Sequence, residues 1–310
     1  MAVERSLHDA SISIVVTVVE GGSSLRQLLL ALATQQPPSA IEVIVPFDTT
    51  IADVGALAAT FPHVMFLDLG TVALTHDASS GAGQHELFDR RRAAGLRAAT
   101  APLVGMLEDR VMPAPDWADT MRRLHDRLPH AVIGGPIATA APDSLNFAFY
   151  ACDFTRYAPP VTPGPREYVS DVNLSYKRRA LEATRPLWTD IYNEVKVHWA
   201  LAAAGEVLFL NDAPVVAHRS HYERLRPLLR QRFEWGRLFG AARAGHLSTG
   251  GRLVAVARAP LVPILLWSRL VRAHATLGTL GRCLKASRAI IAMQIAWVAG
   301  ETWGVVTGRT

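Results

Sequence analysis

Cysteine is nearly absent. Only Cys152 and Cys283 occur in 310 residues, far apart and outside any C-x-x-C pair, which excludes a disulfide framework and a cysteine-based zinc site and suits a reducing cytoplasm. Charge is sparse too, at 19% of residues against 50% hydrophobic, so disorder is excluded and the chain can bury the core of one large domain or two ordinary ones. No apolar run reaches the ~18–20 residues that cross a bilayer. The start of the chain lacks the signal-peptide pattern, because Glu4, Arg5, His8 and Asp9 precede the first apolar run, Ile12–Val19. Neither a G-x-x-x-x-G-K-[ST] loop nor a full G-x-G-x-x-G follows a predicted strand. Gly81-Ala82-Gly83 lacks the third glycine and reads as part of a flexible Ser/Gly loop.

What charge there is lies unevenly. The net charge is +5 and the isoelectric point near 9.5. From Tyr222 to Thr310 there are 14 Lys and Arg against three acids, Glu223, Glu234 and Glu301, giving +11. The 221 residues before carry 18 basic and 24 acidic side chains, giving −6. A mean hydropathy of +0.17 is high for a freely soluble enzyme.

The first half alternates β-rich runs with helical patterns, as in a mostly parallel sheet flanked by helices. Strands are expected at Ile12–Val19, Ile41–Val45, Val64–Leu67, Leu103–Leu107 and Ala131–Ile133. After the first strand, Ser24-Leu25-Arg26-Gln27 reads as a capping box, Leu25, Leu28, Leu29 and Leu32 recur at helical spacing, and Pro37 and Pro38 close the helix. Residues 143–166, rich in Pro and aromatics without periodicity, read as an irregular segment over a site. Sheets of this kind bind ligands beyond the carboxyl ends of their strands. That directs attention to Glu20, Asp48 and Glu108-Asp109-Arg110. Adjacent carboxylates at a strand end are a place where Mg²⁺ or Mn²⁺ can bridge a diphosphate. Arg90-Arg91-Arg92 by itself reads as a solvated helix face.

The motif around the fourth strand is the most specific. Arg92-Ala93-Ala94-Gly95, the strand Leu103–Leu107, Glu108-Asp109-Arg110 and then Pro113-Ala114-Pro115-Asp116-Trp117 together resemble a family 2 inverting glycosyltransferase of bacterial type, with a Leu-Glu-Asp-basic variant of the metal motif. The similarity spans roughly residues 11–240. It implies an α/β, GT-A-like (Rossmann-like) fold, with Glu20 and Asp48 at the nucleoside and Arg92 beside the nucleotide. It implies Glu108 and Asp109, with His218 at the end of Val215-Val216-Ala217-His218, as ligands of Mg²⁺ or Mn²⁺. Arg110 replaces the family's last Asp, so metal dependence is expected to be weak or atypical. Two arrangements are open: Arg110 itself supplies charge to the diphosphate, or it pairs with Asp109 while Glu108 and His218 hold the ion.

Val169–Arg178 resembles the family's Gly-x-Asn-x-x-Tyr-Arg-Arg segment, which makes Asp171 and Asn173 donor-pocket candidates. Glu194, before a helical pattern ending at Gly205, takes the place of the family's general base, with Asp190 in reserve. A base is needed because the acceptor hydroxyl must lose its proton as it attacks the anomeric carbon. Asp116 is placed to cap a helix whose apolar face is Trp117, Met121, Leu124 and Leu128. Gln231-Arg232-Phe233-Glu234-Trp235 is similar to the Gln-x-x-Arg-Trp of processive synthases but carries Glu234 at the Arg position, so no processivity follows.

The expected organisation is a sugar-transfer domain over residues 1–222 and a basic, apolar helical tail over residues 223–310. In the tail, Ala259–Ser268 and Ala289–Gly300 are flanked by Arg258, Arg269, Arg272, Arg282, Lys285 and Arg288. Blocks of this length and border suit helices lying in the interface of an anionic membrane, at the cytoplasmic face, better than spanning helices. A helical cap on the same domain or a homo-oligomer interface is the other reading. Long aliphatic runs argue against nucleic acid as a partner. The expected partners are a nucleotide diphosphate sugar, a lipid-linked or cell-surface glycan acceptor and the membrane surface. Two further classes remain open: a non-catalytic nucleotide-sugar-binding protein, and a sugar nucleotidyltransferase. The latter would need a basic Gly-rich loop that Gly21-Gly22-Ser23-Ser24 does not supply.

Overall fold

In a computed structural model of the chain, residues 10–36 and 40–309 are described. Glu4, Arg5, His8, Asp9, Pro37 and Pro38 lie outside them. The helices in chain order are α1 (Gly22–Ala33), α2 (Gly81–Ala98), α3 (Trp117–Arg127), α4 (Ser144–Phe154), α5 (Arg178–Ala183), α6 (Glu194–Ala203), α7 (Leu225–Ala244), α8 (Thr249–Arg258), α9 (Val262–Thr276), α10 (Leu280–Lys285) and α11 (Ser287–Thr307). The chain forms two compact units.

The first unit, Met1–Ala73, Glu86–Ala138 and Pro159–His218, is built on two sheets. The strands are β1 (Ile12–Thr17), β2 (Ile41–Phe47), β3 (Val64–Asp68), β4 (Leu103–Glu108), β5 (Val111–Pro113), β6 (Val132–Gly134), β7 (Ile137–Thr139), β8 (Gly164–Arg166), β9 (Asn173–Lys177), β10 (Leu208–Leu210) and β11 (Val216–His218). Eight of them form one sheet in the order β3-β2-β1-β4-β9-β6-β10-β8, and β5-β11-β7 form a small second sheet. β1, β2, β3 and β4 are mutually parallel where they pair, as are β6 and β10. β9 and β8 run antiparallel to their neighbours. Every residue of β1 is buried, as the centre of a parallel sheet covered on both faces requires. Of its two buried hydroxyls, that of Ser13 donates to Glu42 and accepts the N–H groups of Thr100 and Ala101. Thr17 lies opposite Glu108, so the loops after β1 and β4 open at one sheet edge.

All five expected strands form, with ends shifted by up to two residues. The α1 start differs: Gly21 precedes the helix without a side-chain cap, and Ser24 instead donates from Oγ to Glu20 Oε2 at 2.7 Å. Gly21 and Gly22 take φ of +70° and +49°, a turn that favours glycine and leaves the loop's N–H groups to another acceptor. Asp116 does not cap α3; it accepts from Thr120 Oγ1 at 3.1 Å. Gly205 ends α6 region at φ +83° as expected.

The second unit, Leu74–His85, Thr139–Ala158 and Arg219–Thr310, is helical. Gly81-Ala82-Gly83 opens α2 rather than a loop. Ser80 Oγ accepts the Gly83 N–H at 3.0 Å, and a Cβ on Gly83 would lie 2.0 Å from the Asp77 carbonyl oxygen. The segment after Asp143 is α4, with Asp143 accepting the Asn146 N–H at 2.9 Å. It shows no periodicity because Asn146, Phe147, Ala148, Phe149, Tyr150 and Ala151 are all buried, so both faces are covered. α7 and α11 pack backbone against backbone: a Cβ on Gly236 would meet the Trp297 carbonyl oxygen at 2.2 Å, and one on Gly300 the Phe233 carbonyl oxygen at 1.9 Å. The two apolar blocks extend beyond their apolar centres. The helical run Thr249–Thr276 and helix α11 are long and apolar enough to cross a membrane by length and composition, the first with none of its apolar window buried.

Candidate active site

The sequence-predicted site residues all fall in the first unit. At its centre is Arg92 on α2, 6% exposed. Its guanidinium donates to Thr17 Oγ1 at 3.1 Å, Asp89 Oδ1 at 3.1 Å and Glu108 Oε1 at 3.0 Å, and it pairs with Asp171 Oδ2 at 3.1 Å. Burial works against its charge, yet the three carboxylates outweigh it and raise its pKa. The Asp171 N–H in turn donates to Glu194 Oε1 at 2.9 Å. One cation thus joins β1, β4, α2, the loop before β9 and the first turn of α6.

Negative charge in this cluster exceeds positive, and the carboxyls respond. Burial pushes Glu108 up to about 7, with Arg92 opposing and Asp171 adding to the rise. Glu194 is held well above the usual carboxylate range by burial and then by the charge of Asp171. A carboxyl poised in this way is suited to take a proton at neutral pH. Beside it, Tyr192 and Tyr176 share a hydrogen bond at 2.7 Å, and Tyr176 reaches His198 Nε2 at 3.0 Å. Asp190 is exposed, outside the cluster.

The β1–α1 loop is organised by Asp109. Its Oδ1 accepts the Val19 N–H at 3.0 Å, and its Oδ2 accepts those of Glu20 at 3.0 Å and Gly21 at 2.6 Å. Burial nevertheless leaves its pKa raised. Arg110 pairs with Glu20, Nε to Oε1 at 3.0 Å, and its charge opposes the burial-driven rise at Asp109. Asp48 is 1% exposed, accepting from Arg91 Nε at 2.7 Å and from the Thr50 N–H and hydroxyl at 2.8 and 2.6 Å. Burial alone would raise the Asp48 pKa, but these bonds and the Arg91 charge bring it below the ordinary value. Asn173 is fully buried: it accepts from Trp117 Nε1 at 2.8 Å and donates to the carbonyls of Pro136 at 2.9 Å and Pro214 at 2.8 Å.

Of the run Arg90-Arg91-Arg92, in which the sequence singles out Arg92 alone, Arg91 also departs from a solvated face. Arg91 is 2% exposed and also donates to the Val18 carbonyl at 3.0 Å, while Arg90, 27% exposed, pairs with Glu86. Arg91, Asp89 and the Tyr192–Tyr176–His198 chain were not legible as site-forming. The one available signal was the three-residue spacing of Asp89 and Arg92 on a helix.

The metal set Glu108, Asp109 and His218 is not assembled. Among the described residues no group of three or more His, Cys, Asp or Glu side chains is placed to hold an ion. Both Asp109 oxygens accept backbone N–H groups, and Glu108 is tied to Arg92. His218, at the end of β11 opposite Val111, is buried and pushed down to about 3 by burial and the nearby Arg110 charge. These donors do not fit a resident divalent ion.

The sequence matches no family model and no curated protein. The structure is similar to a solved one, that of the mannosyltransferase PcManGT from Pyrobaculum calidifontis in complex with GDP-Man and Mn²⁺. The TM-score is 0.56 at 16% identity, over 94% of this chain and 85% of that one. The chain has a GT-A-like glycosyltransferase fold. At this identity the likeness concerns the arrangement of strands and helices.

Proposed function

We propose that the protein is an inverting glycosyltransferase, of the family 2 type its motifs resemble, that moves a sugar from a nucleotide diphosphate sugar to a hydroxyl. The observation that carries this reading is the joined cluster Arg92–Glu108–Asp171–Glu194 at the open edge of a GT-A-like sheet. Glu194 Oε1 is engaged by the Asp171 N–H, so its Oε2 is assigned to the acceptor hydroxyl. That oxygen takes the proton while the acceptor oxygen bonds to the anomeric carbon and the diphosphate leaves from the opposite face, which inverts the configuration. In this reading Arg110, 14% exposed beside Glu20, offers charge to the departing diphosphate in a role a metal ion would otherwise fill. Arg92 keeps Glu108, Asp171 and the loop to Glu194 in register.

The residues before about 222 would perform this chemistry and residues 223–310 would attach the protein to the cytoplasmic face of the cell membrane. A lipid-linked or cell-surface glycan acceptor follows from that location. A non-catalytic nucleotide-sugar binder is the second reading, favoured by the occupied oxygens of Asp109 and by Arg110. Release of nucleoside diphosphate from a panel of nucleotide sugars, in Mn²⁺ and in EDTA, separates them. Turnover that persists in EDTA supports the proposal. Donor binding without turnover in either condition supports the binder.

A further inference from the structure

The second unit carries a groove of about 500 Å³, within the roughly 300–1,000 Å³ of ligand sites. Ala259, Pro260 and Pro263 form one wall, and Ile295, Ala299 and Trp303 the other. Its lining is almost wholly apolar: the single hydroxyl, Thr302 Oγ1, donates to the Val298 carbonyl at 2.7 Å, and the indole of Trp303 carries the one side-chain N–H. The prolines bring no N–H. Such a lining suits a mainly hydrocarbon ligand. Around it, Leu261, Ile264, Ile295, Trp303 and Val306 are each more than half exposed.

The charge left unpaired in this region is mainly basic. Arg258 immediately precedes Ala259, and Arg258, Arg269 and Arg272 are exposed with no acidic partner among the described residues. Two of the three acids of this region are already neutralised, Glu234 by Arg230 and Glu301 by Arg243. We propose that the groove between α8–α9 and α11 takes an acyl chain of an anionic phospholipid, with Arg258 at the phosphate. Burying a chain's methylenes adds to the attraction of basic residues for an anionic surface. This rests on the membrane attachment proposed above and not on the transferase chemistry.

The test uses the full chain with phosphatidylcholine vesicles, with and without phosphatidylglycerol, carrying phospholipid brominated on the acyl chain. Bromine quenches tryptophan on contact, and Trp303 lines the groove. The proposal expects quenching with anionic vesicles only. Trp303→Phe should remove most of it, and so should Ala299→Phe, which fills the groove from an exposed position, with flotation retained in both. Flotation with quenching unchanged by Ala299→Phe overturns the groove, because the chain then meets Trp303 on an open membrane face. Absence of flotation overturns the groove and membrane attachment together, and leaves the donor-turnover result untouched.

Discussion

Asp48 and Arg91 form an ion pair in which each partner is almost fully buried, at 1% and 2% exposure. Breaking such a pair strands a charge away from water, which costs roughly 3–5 kcal/mol. Arg91→Met should therefore lower stability by about that amount in urea unfolding, whereas Arg90→Met, at a pair in which Arg90 is 27% exposed, should cost less. Glu108 makes a pH-dependent claim. Its folded value of about 7 lies above the ordinary 4.5, so between those values the folded state holds more protons than the unfolded state. Stability is then greatest at low pH and falls as pH rises through that window. Glu108→Gln, which still presents an oxygen to Arg92, should flatten the decline of Tm between about pH 4.5 and 7. An unchanged slope would remove Glu108 as its source. Residue positions were legible where a strand end or a motif spacing marks them, as at Glu108, Asp171 and Glu194. Partnerships were not. Asp109 meets Val19, Glu20 and Gly21 across about 90 residues, and Arg91 meets Asp48 across 43, separations that no local pattern encodes.

α1, with one buried face, was readable from its apolar spacing, and so were β1 and β2 from their apolar-rich runs; helices buried all round, or packed through glycine, were not. α4 hid behind its continuous burial, and the start of α2 behind a Gly-Ala-Gly that the close approach to Asp77 requires. The pairing of α7 with α11 depends on positions without side chains, which a hydrophobic pattern passes over. Gly236 and Gly300 each face a partner carbonyl within van der Waals distance of a missing methyl. Gly236→Ala or Gly300→Ala should push the helices apart at a cost of roughly 1–3 kcal/mol, read as earlier urea unfolding and faster proteolysis of the second unit. Gly250→Ala on α8, where a methyl meets nothing within 4 Å, should be neutral or stabilising.

Across the whole chain, the modest net charge of +5 divides into −6 before Tyr222 and +11 after it. With two apolar helical runs in the basic part, the proposed attachment has an electrostatic share that salt should weaken. Recovery of the protein with phosphatidylglycerol vesicles in flotation is expected to fall as ionic strength rises from about 0.01 to 1 M, where the screening length shrinks from roughly 30 to 3 Å. Recovery independent of salt would assign the attachment to apolar contact alone. The fold class was legible because strand and helix periods are local; the chemistry is less so, because it depends on which charges burial brings together. The central claim is that Glu194 is the base of a sugar transfer. Donor turnover by wild type and Glu194→Gln, followed across pH, tests it most directly. The account predicts a wild-type rate that rises with pH through the elevated Glu194 pKa. It predicts a loss of about 10²–10⁴-fold in Glu194→Gln with donor affinity retained. Equal turnover by the two proteins, or none by wild type with any nucleotide sugar, would contradict it.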